Sequence, residues 1–233
     1  MIEEFDIETY LYISPSEFWI YLFDKKNLKN LYKKGIKFKN NYFIDVNNLD
    51  KFIEDNIFKI EKLAGHFVKN IVLVVENDQI IDLNFGIKKK NYNKIVDKKF
   101  LQNVLTDAKD LFRENYHDSK IMHILICRYL ENGNYHSSYN DKFKGDYLCI
   151  EFQFKYIASN FIFNIDKILE KYQIKVTGCM DGKYIKNYFS DKKIDFAEMI
   201  YKIQNGFNEN EVRLIPKNYK NMGFFEKFFQ LFS

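Results

Sequence analysis

The stretch that most limits how this chain can fold runs from Gly145 to Gly178. From Asp146 to Tyr156 apolar and mixed residues alternate without a break. Leu148, Ile150, Phe152, Phe154 and Tyr156 fall on one side, and Tyr147, Cys149, Glu151, Gln153 and Lys155 on the other. A period of two is that of a strand with one apolar face. Ser159 then offers an N-cap hydroxyl, and Phe161, Ile165, Ile168, Leu169 and Tyr172 recur at helical spacing. Gln173 to Thr177 reads as a strand again, closed by Gly178. Strand, helix and strand are expected to form one sheet-plus-helix unit on which the remainder is built.

Upstream, Glu8–Ile13 and Glu17–Phe23 read as a hairpin around Ser14-Pro15-Ser16, where Pro15 fixes the turn. Leu31 to Phe38 supplies a third strand. Asn48 is placed to cap a helix through Leu49, Phe52, Ile53, Ile57, Ile60 and Leu63 that ends near Gly65. The β-branched run Ile71 to Val75 reads as a strand covered on both faces. Gln79–Ile87 is expected as a short strand and Lys88–Lys94 as a basic loop. A helix from Lys98 follows, with Phe100, Leu101, Val104, Leu105, Ala108, Leu111 and Phe112 on its buried stripe. Lys120–Tyr129 is a strand and Asn132-Gly133 a turn. Gly182–Phe189 and Phe196–Ile203 are helices, and the polar stretch Asn205–Tyr219, holding Pro216, is a linker.

Composition narrows the function classes. Of 233 residues, 46% are hydrophobic and 29% charged, which is the balance of a packed globular chain. A net charge of +4 is too mild for a dedicated nucleic-acid binder. The lysine pairs and the triplet at Lys88 read as solvated turns. The three cysteines, Cys127, Cys149 and Cys179, lack CxxC spacing and read as small buried residues in a reducing compartment. His66, His117, His123 and His136 show no metal-ligand spacing, and His123, in mid-strand, reads as a structural histidine. No catalytic, cofactor-binding or metal-binding residues emerge. The acidic start lacks a signal-peptide core and no apolar run is long enough to span a bilayer, so a cytoplasmic protein is expected.

The tail carries the one set of candidate site residues. Phe224, Phe225, Phe228, Phe229 and Phe232 share one arc of a helical wheel, with Leu231 at its edge and Lys227 opposite. Such a helix, about 15 Å long at 1.5 Å per residue, can lie on a bilayer but not cross it. Lys217, Lys220 and Lys227 would face anionic headgroups. Docking on its own domain, or in a partner's groove, is the alternative for the same arc.

Several of these segments resemble FtsA, the actin-like protein that ties the bacterial division ring to the membrane. Val104-Leu-Thr-Asp-Ala-Lys109 is similar to that family's helix with an Ala-Lys pair. Ile121–Ile126, Tyr129 and Glu131-Asn-Gly133 resemble its histidine-bearing strand. Asp146–Tyr156, Ser159–Tyr172 and Ile174–Val176 resemble its strand, helix and strand. Gly223–Phe229 resembles its C-terminal membrane-targeting helix. The resemblance implies an α+β fold: a reduced actin-like first subdomain (1–77 and 180–204), an inserted SHS2-like module (78–179), a linker (205–221) and an amphipathic helix (222–233). The family's second lobe has no counterpart here. Its first phosphate loop corresponds to Tyr12-Ile13-Ser14-Pro15, where Pro15 removes an N–H and no glycine permits close approach. No ATP and no other cofactor are therefore expected. The implied function is a non-catalytic adaptor on the cytoplasmic face of the cell membrane, at the division septum. Its SHS2-like module would bind division proteins, FtsZ or membrane division proteins, or another copy of itself. A scaffold in pilus or envelope assembly using the same module is the alternative.

Overall fold

The computed structural model describes residues 6–39, 42–139 and 142–213. The described residues form a mixed α and β molecule with two compact units. One comprises the described residues of Met1–Ile80 and Ala158–Phe207, the other those of Ile81–Ile157 and Asn208–Ser233.

The first unit is built on a five-stranded sheet. Strands β1 (Ile7–Ile13), β2 (Glu17–Asp24) and β3 (Lys29–Lys37) form an antiparallel meander. Helix α1 (Val46–Ala64) then leads to β4 (Asn70–Val75), which pairs parallel with β1. The later strand β9 (Lys175–Asp181) pairs parallel with β4, giving the order β3-β2-β1-β4-β9. Helices cover both faces. Tyr10, Tyr12, Tyr21, Phe23, Val72 and Val74 meet Ile185 of α4 (Gly182–Tyr188) and Ala197, Ile200 and Ile203 of α5 (Phe196–Gln204). The alternate residues Leu11, Ile13, Ile20, Leu22, Leu73 and Val75 are equally buried on the other face, toward α1. Two covered faces explain why β1 and β4 are nearly continuous apolar runs. Strand β3 lies at the edge and exposes Lys29, Lys33, Lys34 and Lys37, charges that discourage further pairing.

The second unit is a four-stranded sheet with one helix. The strands are β5 (Ile81–Lys90), β6 (Ser119–Glu131), β7 (Asn134–His136) and β8 (Tyr147–Ala158), in the order β5-β8-β6-β7. Helix α2 (Lys98–Asn115) packs Val104, Leu105, Ala108 and Phe112 against Leu148, Ile150, Phe152, Phe154 and Tyr156. The alternation along β8 is therefore the observed inside-outside pattern. The β6–β7 turn at Asn132-Gly133 has both residues at positive φ, as expected of that pair.

Several expectations change. Strands β8 and β9 belong to different sheets, and the helix between them, α3 (Ser159–Glu170), packs on β9. The stretch Gly145–Gly178 is thus a passage from one unit to the other rather than one unit. Local period cannot reveal which sheet a strand joins. Strand β9 also runs through Gly178 to Asp181, with Gly178 paired to Val72. The α1 cap is Asp45, whose carboxylate accepts from the Asn47 and Asn48 N–H groups. The N-cap of α3 is Ala158, and no side chain bonds there. Lys88–Lys90 are the end of β5, paired with Leu148–Cys149 and Tyr147, and not a loop. Leu111 faces solvent, and Cys127 is exposed because it sits on the face of β6 away from the α2 core.

Candidate binding groove

Three parallel strands, β1, β4 and β9, bring their carboxyl ends to one edge of the first sheet. In open α/β sheets that edge is where ligands are held. Here it gathers Tyr12, Ser14, Glu76 and Asp181. The Tyr12 hydroxyl donates to Glu76 Oε2 at 3.0 Å, and Lys186 Nζ donates to both, at 2.8 Å each. Burial pushes the Tyr12 phenol up, against the opposing pull of Lys186. Burial would lower the Lys186 pKa, but the bonds to Glu76 and Tyr12 outweigh it and hold the ammonium above its usual range. Gly182 lets α4 approach Tyr12, since a Cβ there would stand 3.0 Å from the ring.

The polar groups at this edge are largely engaged with one another. The Ser14 hydroxyl and backbone are already spent within their own turn, on Glu17 and Ser16. Pro15 has no N–H to offer. The start of α4 is capped by the Asp181 carboxylate, which accepts from Lys183 N–H at 2.9 Å. The Glu76 carboxylate is paired with Lys186.

Beside this edge, in the same unit, lies an open groove of roughly 560 Å³. Its floor is Trp19, which stacks near Tyr21 with ring centres 6.3 Å apart and lies over Gly35 of the neighbouring strand. Lys33 Nζ is 5.6 Å from the Trp19 ring and 2.6 Å from Asp195. Asp195 also caps α5 through Ala197 N–H and accepts from Asn30. Burial raises its pKa, but Lys33, Asn30 and the cap bond together leave it lowered. Lys37 and Lys192 line the rim with Phe189, Phe196 and Glu17. Aromatic faces beside several lysines suit a polypeptide carrying rings and carboxylates better than they suit small-molecule chemistry. None of these residues stands out in the sequence. Lys33 reads there as half of a solvated lysine pair, and the one signal available is the lone tryptophan within an apolar strand.

The residues that the sequence does single out, Phe224, Phe225, Lys227, Phe228, Phe229, Leu231 and Phe232, lie outside the described residues. His123 is buried, and its Nδ1 lies 2.6 Å from Glu211 Oε1. That contact joins β6 to a segment expected to be linker. The Ile126 and Val212 N–H groups donate to Asn210 O and Ile124 O, each at 2.8 Å, and Val212 is buried. Residues 208–213 are thus packed against β6, because Val212 supplies an apolar anchor within a polar run. Among the described residues no group of three or more His, Cys, Asp or Glu is arranged to hold a metal, and no helix is long and apolar enough to cross a membrane.

No protein family matches the chain in sequence, and neither does any curated protein. Its fold does have counterparts. It is similar to a chain of the PilM-PilN type IV pilus biogenesis complex, at 9% identity and a TM-score of 0.50, covering 78% of this chain and 49% of that one. It is similar also to the cytoplasmic domain of EpsL, an inner membrane component of the Vibrio cholerae type II secretion system. That match has 10% identity, a TM-score of 0.37, and covers 77% of this chain and 57% of the other. A Bacteroides thetaiotaomicron protein with an actin-like ATPase fold and unknown function matches at 10% identity and TM-score 0.34, over 82% and 60%. The present chain therefore spans about half the length of the pilus-complex chain. At such identity the likeness is one of fold.

Proposed function

We propose that this chain is a non-catalytic adaptor in a bacterial envelope assembly of the pilus or secretion kind, attached peripherally to the cytoplasmic membrane. The observation that carries the non-catalytic part is the carboxyl edge of the first sheet. Where a nucleotide-using actin-like protein needs N–H donors and glycine, this chain has Pro15, a self-satisfied Ser14 and the carboxylates of Glu76 and Asp181. The pilus setting is supported by the fold shared with a chain of the PilM-PilN complex. The division role implied by the resemblance to FtsA finds no such support, and FtsZ has none as a partner.

In this reading the first unit is a reduced actin-like subdomain. The described chain leaves it after Ile80 and returns at Ala158, which supports treating Ile81–Ile157 as an inserted module of the SHS2-like kind. The groove over Trp19 holds a segment of a membrane-bound partner, and the Phe-rich tail holds the lipid surface.

A photo-crosslinking amino acid placed at Lys37, on the groove rim, tests this in the native cell. Adducts with inner-membrane components of a pilus or secretion assembly are expected. Adducts with FtsZ or other division proteins would restore the division role, and adducts confined to soluble enzymes would overturn the adaptor reading.

A further inference from the structure

The far end of the second sheet carries a surface that neither the tail nor the groove explains. Strand β5 ends in Lys88-Lys89-Lys90, and the chain then turns sharply at Asn91 to Lys94. Lys94 N–H donates to Asn91 O at 3.1 Å, and the two central residues, Tyr92 and Asn93, have φ of 53° and 54°. That is a left-handed turn made without glycine, unfavourable for Tyr92 though well suited to Asn93. It is held in place by Asn91, which is buried. The Asn91 side chain donates to Lys94 O and to Gly145 O, and the Asn91 and Asn93 backbone N–H groups bond Asp146 O and Gly145 O. The structure thus fixes a tip in which Tyr92 to Ile95 all face solvent, Tyr92 at 66% and Ile95 at 64% exposure. Lys88 Nζ lies 4.6 Å from the ring of exposed Tyr147, and Lys90 Nζ lies 4.8 Å from that of Tyr92.

We propose that this tip is a second membrane contact, specific for bilayers with anionic headgroups. Tyr92, Tyr147 and Ile95 enter the interface while Lys88, Lys90 and Lys94 meet lipid phosphates. Tyrosine suits that depth because one end of its ring is apolar and the other wet. The lysines stand beside those same rings, so phosphate and apolar demands are met at one level. Exposed lysines beside exposed rings match the charge and depth profile of an anionic lipid surface. The inference rests on the membrane reading above and adds a second contact to that of the tail.

The test is sedimentation of the full chain with vesicles of phosphatidylcholine alone and with an equal mixture of phosphatidylcholine and phosphatidylglycerol. Three variants are compared: Tyr92→Ser with Ile95→Ser, Lys88→Gln with Lys90→Gln and Lys94→Gln, and Phe228→Ser with Phe229→Ser. Thermal unfolding checks that each stays folded. The lysine variant is expected to bind mixed vesicles at least tenfold more weakly and to bind neutral ones as the parent does. The tip variant is expected to weaken binding to mixed vesicles about fivefold. The tail variant is expected to retain a remainder that prefers anionic vesicles. Unchanged binding of the lysine and tip variants, with loss only in the tail variant, would overturn the inference and leave the membrane reading standing. No binding by the parent chain to either vesicle would overturn both.

Discussion

Gly35 sits opposite Trp19 in the β2–β3 ladder, and a Cβ added there would fall 2.4 Å from the indole. Gly35→Ala must therefore push the ring off the sheet, at a cost of about 1–3 kcal/mol. Trp19 is the single tryptophan, so its emission reports the change directly. A red-shifted emission and a lower midpoint of unfolding are expected, and an unchanged spectrum would mean that the groove floor is not as described. Lys109 is a second residue whose environment is unusual. It is 9% exposed on α2, and burial together with nearby Arg113 lowers its pKa to about 8. In the unfolded chain a lysine titrates near 10.4. Between those values the unfolded state holds the extra proton, so stability rises with pH across the window from about 8 to 10.4. Below it both states are charged. Lys109→Met should abolish that rise, so that stability measured by denaturant titration changes less across the window than in the parent, and an equal rise in both would mean that the ammonium is not held as described. Asp195 behaves in the opposite sense. Its lowered pKa contributes stability above the usual carboxylate range that is lost as pH falls through its folded value. None of this is legible in the sequence, where Lys109 looks like the end of an Ala-Lys motif and Lys33 like half of a solvated pair. Burial of a lysine depends on what packs over it, and sequence period does not report that.

At the scale of elements, the packing of 208–213 on β6 is the least expected feature. Glu211→Ala removes the carboxylate beside buried His123 and should cost about 1–3 kcal/mol. Hydrogen exchange gives the sharper readout, since the Val212 and Ile126 N–H groups close that contact. Both should exchange faster in the variant, and protection equal to the parent would show that the segment is held some other way. The strands and helices themselves are largely legible. The stripe of α1, apart from exposed Leu63, and the alternation in β8 appear where period places them, because each buries one face, while Ile71–Val75 is marked by its continuous β-branched run, buried on both faces. Helix starts are less so. Asp45, Asn47 and Asn48 all have capping side chains, and the choice among them is made by where the chain arrives from, not by the helix. The end of β5 is hidden because three lysines in a row read as loop, although each pairs with β8 at an exposed end of the sheet.

At the scale of the whole molecule, motif order along the chain points to an actin-like fold but groups β8, α3 and β9 together. Strand partners far apart in sequence, such as Ile71 with Val176, are fixed by the sheet as a whole and leave no local trace. In the sequence Pro15 and the lack of a glycine argue against a phosphate loop, and the structure adds that Ser14, Glu76 and Asp181 are engaged elsewhere. Calorimetric titration with Mg-ATP should accordingly give no saturable heat up to about 1 mM, the weak end of useful affinity. A saturable isotherm there would contradict the non-catalytic proposal. The claim on which the rest depends is attachment of a binding module to a lipid surface. Its most direct measurement is sedimentation of the full chain and of a chain ending at Lys220 with anionic vesicles. The full chain should pellet and the shortened one should leave only a weak, salt-sensitive remainder. Equal pelleting of the two would contradict attachment through the tail, and no pelleting of either would contradict attachment altogether.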